Sequence, residues 1–181
     1  MVSAPETTRS PIDTNVQDVI NHLAGIAADS PLGQLRAQRP EVLRHAQGSY
    51  ETLLEPDDPA GVSRFEREAI ALRVAVLTPD PALAEWHRDR LRDLGTSNDE
   101  IAAVTRVPDV DDAVLPARTA AILRHTDLLT WEPGAAGDAE LAALKAHDLQ
   151  TRDIVTISQL IAFVSFQVRV LAGLRALGEE A

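Results

Sequence analysis

Apolar residues recur every three to four positions along most of the chain and rarely alternate, so the pattern predicts helices and few strands. Thr14 with Gln17 forms a capping box ahead of VQDVINHLAGI. Ser30-Pro31 is a helix cap with proline in the first turn, opening PLGQLRAQR. Pro40 starts a segment whose Leu43, Ala46, Tyr50 and Leu53/Leu54 keep the helical period. After the EPDDPAG loop, Ser63 and Glu66 cap RFEREAIALRVAVL, which should stop before Thr78-Pro79. Asp80-Pro81 caps the next helix and Gly95 ends it in a left-handed conformation. Ser97 with Glu100 caps a short helix to about Arg106, and further helices are expected near 112–130 and 138–148. Thr151 opens a long final helix to about Leu177, closed by Gly178. The fold class this predicts is all-α. Residues 1–13, polar and holding Pro5 and Pro11, are expected to form an arm before a single domain over 14–181.

Two polar residues break the apolar faces of the central pair of helices. Glu68 has Phe65, Leu72 and Ala75 around it at helical spacing, and His87 has Leu83, Leu91 and Leu94. A buried charge without a partner is costly, so each is expected to meet something. The two helices are joined by a very short turn and should run antiparallel. Glu68 lies ten residues before Thr78 and His87 seven after Asp80. At 1.5 Å per residue that places them within about 5 Å along the axis. A carboxylate that holds one imidazole nitrogen leaves the other free to move protons. A satisfied polar pair inside the hairpin is the competing reading. A concave pocket reaching the free nitrogen favours an enzyme, and a sealed pair favours a structural role.

Composition narrows the chemistry. Of 181 residues, 45% are hydrophobic but only 3% aromatic, so the core must be built from Ala, Leu, Val and Ile. The net charge of −11 argues against nucleic acid or an anionic membrane as partner. There is no cysteine, so a disulfide, a thiolate nucleophile and a cysteine-based metal site are excluded. No two histidines have metal-ligand spacing, and neither a metal nor a cofactor is expected. The first residues lack a signal-peptide core, and the apolar C-terminal segment is interrupted by Ser158, Gln159, Ser165, Gln167 and Arg169. The expectation is a cytoplasmic protein with no membrane span.

The stretch EAIALRVAVLTPDPALAEWH (68–87), followed by Gly95 and Ser97-Asn98-Asp99-Glu100-Ile101, resembles the core of the carboxymuconolactone decarboxylase/AhpD-like superfamily. That core has a glutamate, a histidine nineteen positions on, a glycine eight beyond and a capped [ST]-x-x-E-I; the match covers about residues 60–110. The long last helix is also family-like. The segment upstream, from Asp18 to Leu54, resembles a less-studied branch whose members are thought to accompany a second, peroxidase-like protein. The resemblance implies an AhpD-like helical bundle with Glu68 and His87 as catalytic residues. It implies a homo-oligomer (a trimer, hexamer or dimer), and a small-molecule ligand. In the alkylhydroperoxidase branch a Cys-x-x-Cys precedes the histidine; those positions are Asp80 and Leu83 here. Thiol peroxidase activity by this chain alone is therefore not expected. The decarboxylase branch instead suggests cysteine-independent acid/base chemistry on a small organic acid or lactone. The alternative is a non-catalytic structural or ligand-binding partner of a cysteine-bearing alkylhydroperoxidase-like protein.

The remaining polar positions rank lower. Ser158, Ala162, Ser165 and Arg169 form a small/polar stripe suited to close helix packing, with Arg169 as a candidate carboxylate anchor in a pocket. His125 shares the apolar side of its helix with Ala121, Ile122, Leu128 and Leu129; it is a core or interface residue or a second substrate-binding candidate. His22 and His45 should be solvated, and His147 should sit in the last turn of its helix. Trp86 is expected to pack outward or at an interface. Arg73 should pair with an acid across an interface, and Arg88-Asp89-Arg90 with Arg92-Asp93 should form a solvated, self-paired face.

Overall fold

A computed structural model describes residues 18–179. The helices are α1 (Val19–Ala24), α2 (Pro31–Ala37), α3 (Pro40–Leu54), α4 (Arg64–Leu77), α5 (Pro81–Asp93), α6 (Asn98–Thr105), α7 (Ala117–Trp131), α8 (Asp138–Lys145) and α9 (Thr151–Glu179). A single 3-10 turn, Pro133–Ala135, separates α7 from α8, and no strand forms among the described residues. The expected arm 1–13 and the Thr14–Gln17 capping box lie outside the described residues.

Most helix starts follow the capping chemistry. The Ser63 and Ser97 hydroxyls accept from the Glu66 and Glu100 N–H groups, and each glutamate accepts in return from the capping serine's N–H. Ser30 accepts from Gly33 N–H, and Asp80 Oδ1 accepts from Leu83 N–H at 3.0 Å. Gly95 ends the α5 segment at φ +80°, a conformation that costs glycine little.

Several boundaries differ. The cap of α1 is Asp18, whose carboxylate accepts from Asn21 N–H. Helix α7 begins at Ala117 rather than near 112, because Asp111 folds the preceding residues into a turn. Its carboxylate accepts from Ala113 N–H, and its carbonyl from Val114 and Leu115. Helix α8 stops at Lys145, so His147 lies just beyond it in a turn that Asp148 completes at φ +61°. Gly178 does not close α9, which continues to Glu179.

Helix α4 is central: eleven of its fourteen residues are buried, and it packs against α3, α5, α6, α7 and α9. The apolar residues of these helices join α1 and α8 in one contiguous core. Helix α9 also departs from expectation. By length and composition alone residues 151–178 suffice to cross a membrane, with a mean hydropathy of 1.8 over the most apolar window. In this fold its buried side packs on α1, α3, α4 and α7. Arg175 near its end joins Asp80 at 2.6 Å and the Leu23 carbonyl at 3.1 Å, fastening α9 to the start of α5 and to α1.

Arg73 pairs within the chain, not across an interface. Fully buried on α4, it meets both carboxylate oxygens of Asp127 on α7 at 2.6 Å. It also donates to the carbonyls of Val104, Arg106 and Pro108, which shape the α6–α7 connection. Removing one member of such a buried set strands the others without water. Arg73→Met should therefore lower the unfolding free energy by about 3–5 kcal/mol, read as a reduced urea midpoint at unchanged slope. A loss under about 1 kcal/mol would mean that this network contributes no more than a surface pair.

Candidate functional site

The α4–α5 hairpin brings Glu68 and His87 together, as the axial spacing requires. His87 Nδ1 lies 2.7 Å from Glu68 Oε2, with His87 at 0% and Glu68 at 2% exposure. When Nδ1 carries the ring proton and donates it to the carboxylate, Nε2 presents its lone pair. Among the buried atoms of this pair, His87 Nε2 alone has no hydrogen-bond partner.

The other oxygen of Glu68 is held by Arg90, whose Nε donates at 2.8 Å. The same guanidinium reaches Glu55 just past α3, with Nη2 to Oε1 at 2.5 Å, and lies 5.8 Å from the Trp86 ring centroid. Trp86 Nε1 donates to the Tyr50 hydroxyl at 3.0 Å, so α3, α4 and α5 meet in one network. Burial works against the charge of Arg90, but Glu68 and Glu55 outweigh it and hold the guanidinium above its ordinary range. Burial, then the negative charge of Glu68, pushes the Tyr50 phenol well above the usual tyrosine range. Tyr50 is thus kept as a phenol, and each oxygen of Glu68 has a hydrogen-bond partner, His87 on Oε2 and Arg90 on Oε1.

Chemically, this is an imidazole fixed in orientation by a carboxylate that is itself fixed by an arginine. It can hold a proton at Nδ1 and accept or release one at Nε2. It is also closed. A cleft of about 100 Å³ reaches Glu68 and Arg90 between Leu54, Arg64 and Leu94, and His87 does not line it. By exposure the pair belongs with structural pairs; by hydrogen bonding it does not, because Nε2 is left over.

The other sequence candidates stand elsewhere. Arg169 meets no carboxylate among the described residues. It is exposed on α9 and donates to the Ser165 carbonyl of its own helix at 2.7 Å. The cation that meets the site carboxylate is Arg90, taken from the sequence as part of a solvated face. Its signal is its place three residues after His87, on the same helical face. Arg92 pairs with Asp89 within the expected face, and both Arg88 and Arg92 also reach Glu85 earlier on α5. Trp86 packs inward at 8% exposure, with His22, itself exposed, against its ring at 5.2 Å between centroids. Leu94, assigned to the apolar face of His87, is exposed. His125 is buried on α7 and lines a different cleft, against α8. The two positions of the cysteine motif are occupied by a helix cap, Asp80, and a fully buried Leu83. No group of three or more His, Asp or Glu side chains suited to a metal ion occurs among the described residues.

No protein-family model and no curated protein matches the sequence. Solved structures do share the architecture. An uncharacterized peroxidase-related protein from Silicibacter sp. TM1040 aligns with a TM-score of 0.67 at 22% identity, covering 74% of this chain and 68% of its own. A protein of unknown function from Agrobacterium tumefaciens, described as an AhpD-type antioxidant defence protein, aligns with a TM-score of 0.65 at 22% identity, covering 76% and 90%. At that identity the likeness is one of fold. The chain has the AhpD-like helical fold, in a version without the cysteine pair.

Proposed function

We propose that this chain carries out cysteine-independent proton transfer, with His87 Nε2 as acid/base and Glu68 orienting the ring from Nδ1. Arg90 is the positioning residue that fixes Glu68. The substrate class is a small organic acid or lactone, acted on by decarboxylation or isomerisation. The observation that carries this reading is the unpartnered Nε2 in an otherwise paired network. A pair kept only for stability gains nothing from a buried acceptor left unmade, which costs about 1–3 kcal/mol. Substrate reaches Nε2 only when the packing around the α5 face opens, since the imidazole is closed in the described fold.

That closure favours a second reading. Here Glu68 and His87 pin the hairpin, and the chain is a structural or ligand-binding partner of a cysteine-bearing alkylhydroperoxidase-like protein. Under either reading we infer a homo-oligomer, with the exposed Val155, Phe166 and Leu177 of α9 as the candidate apolar face. The peroxidase-related and antioxidant descriptions of the structural neighbours suggest thiol-dependent peroxide chemistry, which this chain has no residue to perform.

Proton transfer is tested without knowing the full reaction. Small carboxylic acids, keto acids and lactones are incubated with the protein in D2O, and exchange at carbon or turnover is followed by NMR. Activity on at least one compound is expected, with His87→Gln lowering it by about 10²–10⁴-fold at unchanged helix content. No activity across the panel, with His87→Gln losing stability instead, favours the pinning role. The purified chain should consume no hydroperoxide with a dithiol reductant. Turnover that survives removal of contaminating peroxidases would overturn that expectation.

A further inference from the structure

His125 stands at the middle of α7, 5% exposed, and neither of its ring nitrogens has a hydrogen-bond partner. An imidazole carries one donor and one acceptor when neutral, and burying both unpaired is unfavourable. The ring lines a cleft of about 190 Å³ between α7 and α8, whose walls include the apolar Ala121, Leu128, Ala143 and Leu144. That is space for a small organic molecule and is lined much as ligand sites are, by apolar surface around a few polar groups.

The charges at the cleft select against ions. Arg124 is committed to Asp112 through its Nη2, so it is not a free clamp for an anion. Glu140 repels an anion, and one of its oxygens is engaged by the Gly137 N–H that it caps at 2.9 Å. His147 is the one further titratable side chain along the wall, and no three-ligand metal cluster exists among the described residues. Burial lowers the His125 pKa from its ordinary value against the opposing pull of Glu140, so the ring is neutral around pH 7. Whichever nitrogen faces the cleft, as N–H donor or as lone pair, a hydroxyl can pair with it, whereas a carboxylate can meet only the N–H and an ammonium only the lone pair.

We propose that the α7–α8 cleft is a binding site for a small uncharged molecule, apolar except for one hydroxyl, with the His125 imidazole as its hydrogen-bond partner. This site is separate from the Glu68–His87 network and does not depend on how that network functions.

Phenol is the probe, titrated into the full chain while the histidine ring resonances are followed by NMR. Saturable binding is expected, with the His125 ring shifting most, and benzene and benzoate should each bind at least about tenfold more weakly. His125→Phe should weaken phenol at least about tenfold at unchanged helix content. Should that variant fail to fold, Ala143→Phe serves instead. It obstructs the cleft from a position exposed on α8 and leaves the imidazole in place, and should weaken phenol equally. Absence of saturable binding overturns the site, as does phenol binding that is unchanged when the cleft is obstructed. Equal affinity for benzene and phenol overturns the role of His125.

Discussion

Four charged side chains of α4 are buried, and the other helices are arranged around giving each of them a partner. Glu66 receives Arg118 from α7 at 2.7 Å, and that arginine also donates to the carbonyls of Gly61 and His147. Arg67 turns back to the carbonyls of Leu53, Pro59 and Val62, closing the loop after α3. Glu68 takes His87 and Arg90 from α5, and Arg73 takes Asp127 from α7. A buried charge is tolerated only when such geometry replaces its water, so these contacts fix the rotation and axial position of α4 against each neighbour. An aliphatic core nearly without aromatics has few large shapes to enforce one packing; here directional pairing supplies that selectivity.

The local elements were legible because their signals are local. Ser30, Ser63, Asp80 and Ser97 cap helices through their own side chains, and no distant residue is required. Where the structure departs from the local pattern, a neighbour alters the local choice. Asp111 accepts from three N–H groups and so delays α7. Gly178 stops a helix only by turning left-handed, and α9 continues through it. The Asp153 carboxylate stands against Gly61, where even a methyl group would collide with it at 2.2 Å; no local pattern announces that approach.

The site was half legible for the same reason. Glu68 and His87 sit on adjoining helices with a short turn, so axial arithmetic is enough to pair them. Alternating charge on α5, taken by sign alone, signals only a solvated face and so hides Arg90. Counting angular position puts it beside His87, while Arg88 and Arg92 fall on the outer side with Glu85. Arg73 was recognised as needing an acid, but Asp127 lies 54 residues away and only the tertiary fold brings it there. Tyr50 and Trp86 carry no charge pattern at all, so their link beneath the network has no signature in spacing.

Positions 80 and 83, onto which the resemblance maps the Cys-x-x-Cys motif, bear on what the network can do. Asp80 is buried, caps α5 and holds Arg175 of α9, so its carboxylate joins the hairpin to the last helix. Leu83, one turn further, is sealed in the core beneath the same helix start. A thiol at 80 would remove the cap and the partner of Arg175 together, and a thiol at 83 would leave unfilled core volume. Thiol chemistry at this helix start is therefore incompatible with the contacts that now hold α1, α5 and α9 together. The hairpin's entrance is thus occupied by structural contacts, and the one atom of the Glu68–His87 pair that they leave without a partner is His87 Nε2.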